Sequence, residues 1–226
     1  SDSITFFERA VSPRSFVQSE ARTYLALYAV ELTRRPDFAS APREAINALF
    51  MLASRELDAE LRRIPDDART RYLAGSFLLP YGFYENARKQ FIAARALSSQ
   101  KPAIIHAVGL SFAAEGKYAE SFPYFEKALE LAPRRYDTII EYAAAAVRAR
   151  DLARADRVSA LISGYPVAAD DRVTYAYFDT GQTSEYLDRW EVVVNAEPEE
   201  PGYAFFAGRA AYVAGDRSRG ERFFQT

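Results

Sequence analysis

Two stretches of this 226-residue chain decide its fold, GSFLLPYGFYENARKQFIAARAL at residues 75–97 and GLSFAAEGKYAESFPYFEKALEL at residues 109–131. They carry one pattern displaced by 34 residues. The matched positions are Gly75 and Gly109, Gly82 and Gly116, Tyr84 and Tyr118, Phe91 and Phe125, Ala94 and Ala128, and Leu97 and Leu131. The same spacing separates Gly181 from Gly215 and Trp190 from Phe224. A constant period of this length predicts stacked structural repeats.

Each period is typical of two helices. Pro102 suits the first turn of a helix, where a missing amide hydrogen costs nothing, and Gly116 suits its end. A second helix follows from about residue 118 to residue 131, and Pro133 ends it. The apolar residues recur at helical spacing in both halves. Because one helix pair cannot bury its apolar face alone, the pattern predicts hairpins that stack on one another.

Small and bulky residues both recur along the repeats. Gly75, Gly109 and Gly208 occupy positions where two helices must approach closely. Bulky side chains should fill the space between layers, namely Phe91, Phe125, Trp190 and Phe224. The two positions together predict tight packing within each hairpin.

These repeats resemble the tetratricopeptide repeat. The family pattern of large, small and aromatic positions followed by proline is found at Ile105, Val108, Gly109, Phe112, Ser121, Phe125 and Pro133. The resemblance covers about residues 65–226, with an incomplete last repeat. It implies an all-α fold, a right-handed superhelical solenoid of antiparallel helix hairpins.

The first 64 residues are less regular. Residues 4–11 are similar to half a repeat, and helices are predicted over residues 15–32 and 43–64 with a loop between them. We interpret residues 1–64 as divergent helical hairpins that continue the solenoid. A separate N-terminal domain is the alternative.

This segment also carries a second, shorter resemblance. FFERAVS at residues 6–12, Ser15 with Phe16, and SEAR at residues 19–22 are similar to the soluble region of bacterial O-antigen ligase and polymerase family membrane proteins. That resemblance implies an extracytoplasmic accessory domain of a membrane glycan ligase or polymerase. If this second resemblance does not hold, a cytoplasmic location is the alternative.

The composition argues against most catalytic classes. The chain has no cysteine and one histidine, so thiolate catalysis, cysteine-ligated zinc and histidine-pair metal sites are excluded. With 29 Lys and Arg against 31 Asp and Glu, no basic excess points to nucleic acid. We therefore expect no enzyme activity, no cofactor and no metal. The uncharged run at residues 72–84 is also too short to span a membrane.

The expected function is a non-catalytic scaffold that presents a concave groove to a protein or peptide. The family geometry implies that the groove is lined by Arg69, Tyr72, His106, Ile140, Tyr175, Phe178, Phe205, Arg209 and Tyr212. Two alternatives stay open, the glycan ligase accessory domain and a binder of glycans or small molecules that uses the aromatic groove. Phe223 and Phe224 are not a polar cap, which predicts a homodimer through the C-terminal end or cover by further residues.

Overall fold

The computed structural model describes residues 18–33, 42–162 and 167–225. Within these ranges the chain forms twelve α-helices and no strand. In chain order the helices are α1 (Gln18–Thr33), α2 (Arg43–Arg63), α3 (Ala68–Leu78), α4 (Tyr84–Leu97), α5 (Pro102–Ala114), α6 (Tyr118–Leu131), α7 (Tyr136–Arg148), α8 (Leu152–Ser159), α9 (Asp171–Asp179), α10 (Thr183–Ala196), α11 (Pro201–Val213) and α12 (Arg217–Gln225). Short 3-10 turns at Leu79–Tyr81 and Val167–Ala169 follow α3 and precede α9.

The predicted two-helix repeat is confirmed. Helix α5 begins at Pro102, and α6 runs from Tyr118 to Leu131, as the pattern indicated. The two helices predicted in the N-terminal segment are present as α1 and α2. Residues 1–17, which include the predicted half repeat and most of the ligase-like stretch, lie outside the described residues.

The chain divides into two compact units, residues 1–117 and residues 118–226. In the first unit, α1 and α2 share a core with α3, in which Leu25, Leu49, Leu52 and Phe77 pack together. The described part of the N-terminal segment thus packs directly on the first predicted repeat. The division proposed at residue 64 falls inside this unit.

The second unit contains α6 to α12. Helix α7 packs against α6, α8 and α9, and α11 packs against both α10 and α12. Its fully buried side chains include Phe125, Ile139 and Trp190. Helices α8 and α9 have 8 and 9 residues, against 14 in α6 and α10.

The turn inside each hairpin needs a left-handed residue. Gly116, Gly181 and Gly215 supply it with φ between 69° and 82°. Arg150, which follows Gly116 by 34 residues, adopts φ 60° at the same place. The amide of Arg150 donates to the carbonyl of Val147, three residues earlier. The amide of Gly116 makes the equivalent hydrogen bond to the carbonyl of Ala113. The repeat geometry therefore holds where the glycine is missing.

The close approaches predicted within hairpins are present at two glycines. A Cβ on Gly75 would lie 2.5 Å from Cε1 of Phe91, and one on Gly208 would lie 2.7 Å from Cε1 of Phe224. Phe91 is buried as predicted, and so are Phe125 and Trp190. Phe224 differs, because half of its surface stays exposed and the buried residue of that turn is Phe223.

None of the helices in the described ranges is both long and apolar enough to cross a membrane.

Candidate functional site

In the first unit, the residues predicted for the groove differ in accessibility. Arg69 is exposed in the first turn of α3. Tyr72 is half-buried, with its ring centroid 5.8 Å from that of Phe91. His106 is buried on α5. This unit can therefore offer Arg69 and part of Tyr72 to a partner.

Ile140 is completely buried in the second unit. The reason is that α7 packs on three neighbouring helices, and nine of its 13 residues are buried. A side chain with no exposed surface cannot contact a partner without local unfolding. We therefore leave Ile140 out of the candidate site.

The structure brings three predicted residues together around one pocket of about 520 Å³. Tyr175 and Phe178 come from α9, and Arg209 comes from α11. We define the α9–α11 pocket by the residues used below, which are Tyr175, Phe178, Trp190, Phe206, Arg209 and Val213.

Helix geometry explains why these side chains converge. Residues three apart lie on one face of a helix, which places Tyr175 and Phe178 side by side. Phe206, Arg209 and Val213 likewise follow the spacing i, i+3 and i+7 on α11. The start of α9 is held by Asp170, whose carboxylate accepts hydrogen bonds from the backbone and side chain of Arg172 at 3.0 and 2.9 Å.

The pocket has an aromatic wall, and its exposed lining carries both apolar and charged side chains. Trp190 is buried, and the ring of Phe206 stacks on it with 6.4 Å between centroids. At the rim, Tyr175 is 59% exposed and Val213 is 68% exposed. An apolar rim over a rigid wall can dock an apolar side chain of a partner.

Two polar side chains that line the pocket, Tyr186 and Thr174, already form hydrogen bonds. The hydroxyl of Tyr186 donates to the carbonyl of Ala168 at 2.9 Å and lies 2.9 Å from Oγ1 of Thr174. Burial raises the pKa of Tyr186, the charge of Asp171 adds to the increase, and the charge of Arg209 opposes it. Charges of both signs therefore lie near this hydroxyl.

Arg209 is exposed, and it forms neither a hydrogen bond nor an ion pair with any residue in the described ranges. An unpaired guanidinium beside aromatic rings has all its donors free for a ligand.

Phe205 and Tyr212 lie in a different cluster. Their ring centroids are 6.2 and 5.9 Å from that of Phe224 on α12, and all three rings are substantially exposed. We call Phe205, Tyr212 and Phe224 the C-terminal aromatic cluster. The α9–α11 pocket instead uses Phe206 and Val213, which the sequence analysis missed. The i, i+3, i+7 spacing around Arg209 was the signal that could have identified them.

Within the described ranges, no group of three or more histidine and acidic side chains is placed to hold a metal ion.

No family model matches the sequence, and no curated protein sequence matches it. Solved structures, in contrast, are similar to the structure of this chain. The chain is similar to PilW, described as a widely conserved type IV pilus biogenesis factor, with a TM-score of 0.58 at 15% identity over 91% of this chain and 90% of that one.

Two further solved structures are also similar to this chain. A tetratricopeptide repeat protein from Parabacteroides merdae aligns with a TM-score of 0.54 at 11% identity, covering 89% of this chain and 78% of that one. The pilF protein of Pseudomonas aeruginosa aligns with a TM-score of 0.50 at 14% identity, covering 89% and 90%. At these identities the likeness establishes fold. The described part of the chain thus has a helical repeat fold like that of tetratricopeptide repeat proteins, as the resemblance implied.

Proposed function

We propose that this protein is a non-catalytic scaffold that binds a peptide or an exposed segment of a protein partner. The α9–α11 pocket is the part of its surface that we assign to this binding. The observation that carries the proposal is the exposure of Tyr175 and Val213 around a wall formed by the buried Trp190. Aromatic and arginine side chains around a groove between helices are common anchors for docked peptide segments.

The rest of the predicted groove has a smaller role in this proposal. Arg69 is exposed and Tyr72 is partly exposed in the first unit, and both stay predicted contacts. His106 is 8% exposed and Ile140 has no exposed surface, so we assign neither to the binding surface. Phe205 and Tyr212 belong to the C-terminal aromatic cluster, where the predicted homodimer contact also stays a prediction.

The proposal is tested by selecting random linear peptides on the purified protein and measuring their affinity by calorimetry. Tyr175→Ala removes an exposed ring, and Val213→Asp places a charge on the apolar rim. Each should weaken the selected peptides about tenfold or more, which corresponds to the loss of one interface anchor. Thermal melting followed by circular dichroism checks that both variants remain folded.

Val192→Asp is the matched control, because Val192 is as exposed as Val213 but lies on α10 outside the pocket. It should change peptide affinity by no more than about twofold, the usual range for remote surface substitutions. Peptides that bind the pocket variants as tightly as the wild-type protein would remove the α9–α11 pocket from the function.

Two other predicted functions have less support. The glycan ligase accessory role depends on residues 6–22, and none of the structural likenesses reported above is to a ligase. The mixed aromatic and polar lining of the α9–α11 pocket does not favour a glycan or small molecule over a peptide.

A further inference from the structure

We propose that a second pocket in the second unit binds an uncharged, largely apolar small molecule that accepts a hydrogen bond from the hydroxyl of Tyr177. This pocket has a volume of about 510 Å³ and is formed by residues of α7, α8, α9 and α10. We define the Tyr177 pocket by the residues used below, which are Asp156, Ser159, Val173, Tyr177, Arg189 and Val192. None of these six lines the α9–α11 pocket, so the inference goes beyond the proposed function and does not depend on it.

The lining of the Tyr177 pocket is mostly aliphatic. Ten of its 14 lining residues are alanine, valine or isoleucine, among them Val173 on α9 and the exposed Val192 on α10. Small-molecule sites commonly have volumes of about 300–1,000 Å³, with apolar walls that bury the ligand and a few polar groups that orient it. The size and the walls of this pocket therefore favour a small apolar ligand.

The hydroxyl of Tyr177 is the polar group that can orient such a ligand. Tyr177 is 2% exposed, and its hydroxyl forms no hydrogen bond with any residue of the described ranges. This oxygen is nevertheless not among the unpartnered polar atoms that are closed to solvent, so the small surface that Tyr177 keeps includes it. Buried hydroxyls normally have a hydrogen-bond partner. A ligand atom in the pocket can supply that partner.

Tyr177 can serve as the donor in this contact. Burial raises the pKa of its hydroxyl to about 12, although the charge of Arg189 opposes the increase. The group therefore stays protonated at neutral pH and can donate to a carbonyl, ether or hydroxyl oxygen. Ser159 carries the other hydroxyl of the lining, and it already donates to the carbonyl of Ala155 at 2.7 Å.

The charged side chains of the lining neutralise each other. Nε and Nη2 of Arg189 donate to the two carboxylate oxygens of Asp156, both at 2.8 Å. Nη1 of Arg189 donates to the backbone carbonyl of Glu185 at 3.1 Å. A pair held by two parallel hydrogen bonds leaves no unpaired charge for an ionic ligand. Since a charged ligand would also lose its hydration among aliphatic side chains, the pocket favours an uncharged one.

Three probes with one chain length test the ligand class, namely 2-octanone, octanoate and octylammonium. Titrations of the purified protein followed by ligand-observed NMR give a dissociation constant for each. The ketone should bind about tenfold or more tightly than either ion, because it keeps an acceptor oxygen without a charge. A ketone that does not bind saturably, or an ion that binds as tightly as the ketone, would overturn the inference.

Tyr177→Phe tests the hydrogen bond. It should weaken 2-octanone about two- to tenfold, the loss of one neutral hydrogen bond, and should leave the melting temperature unchanged because the hydroxyl has no partner to lose. Tyr142→Phe is the matched control, since Tyr142 lies outside the pocket and its hydroxyl is 2.7 Å from Nη1 of Arg154. That control should lower the melting temperature and leave ketone affinity unchanged. Equal ketone affinity for Tyr177→Phe and the wild-type protein would show that water serves the hydroxyl equally well, against the inference.

Val192→Asp and Val213→Asp locate the bound ketone, because the two valines are 69% and 68% exposed and line different pockets. Val192→Asp should weaken 2-octanone about threefold or more, and Val213→Asp by no more than about twofold. The reverse order would place the ketone in the α9–α11 pocket and overturn the inference. The selected peptides are expected to respond in the opposite way to the same two variants. Failure of either proposal is therefore visible without the other.

Discussion

The turn of each hairpin depends on one residue with left-handed backbone conformation, and Gly116 is an example. Its amide donates to the carbonyl of Ala113, the amide of Lys117 donates to that of Phe112, and φ is +82°. Glycine adopts this conformation without the steric cost that a Cβ brings. Arg150 adopts the same left-handed conformation in a later repeat, although it has a Cβ. Its guanidinium donates to the carbonyl of Thr180 at 2.7 Å.

We expect Gly116→Ala to lower the free energy of unfolding by about 1–2 kcal/mol, the cost of a left-handed residue with a side chain. No atom lies within 4 Å of the added Cβ, so the loss would come from backbone strain alone. Gly202→Ala is the matched control, since Gly202 is equally open and has ordinary helical backbone on α11. That control should be neutral or stabilising by up to about 1 kcal/mol. Equal urea unfolding midpoints for the two variants would contradict the assignment.

At the scale of the helix, buried aromatic rings hold successive elements together. Phe125 on α6 has no exposed surface, and its ring centroid lies 5.6 Å from that of Tyr142 on α7. The hydroxyl of Tyr142 in turn lies 2.7 Å from Nη1 of Arg154 on α8. One ring thus packs against a network that spans three helices.

Phe125→Ala should cost about 3–5 kcal/mol of unfolding free energy, because it removes the ring and leaves a cavity. Ile92→Ala on α4 is the control, since Ile92 is exposed and should lose less than about 1 kcal/mol. Urea unfolding followed by circular dichroism measures both. A loss below about 1 kcal/mol for Phe125→Ala would mean that the repeat register is wrong.

At the scale of the whole molecule, carboxylates at helix starts determine the response to acid. Asp67 caps α3 and Asp151 caps α8. A hydrogen bond from Thr70 holds the pKa of Asp67 below its usual value, and one from Arg154 does the same for Asp151. Their stabilising effect is therefore complete above the unfolded pKa and is lost as the pH falls through the folded pKa. Burial raises the pKa of the Glu141 carboxyl, so the contribution of Glu141 to the free energy of unfolding falls as the pH rises.

We therefore expect the unfolding free energy to fall when the pH is lowered from about 5 to about 3. Asp67→Asn keeps a side-chain oxygen that can cap α3 but removes the titrating group, so its loss over this range should be smaller. Urea unfolding at several pH values measures the slope for both proteins. Parallel slopes would show that the Asp67 carboxylate does not contribute.

The sequence by itself determined the repeat, the hairpins and most of the core. Glycine turns, prolines and helical spacing are local features, and the 34-residue period places Phe91 and Phe125 at equivalent buried positions. These signals lie within one repeat, so they can be interpreted without knowing which helices become neighbours.

Only the tertiary structure decided which side chains remain accessible. Successive residues of a helix point about 100° apart, so an uncertainty of one position exchanges Phe205 for Phe206 in the pocket. Ile140 is buried because three helices surround α7, which the period alone does not show. Arg209 lines the α9–α11 pocket as an exposed side chain without an ion pair in the described ranges, which its place in the period does not show. Exposure and charge pairing depend on residues about thirty positions apart, and packing between helices determines which of them meet.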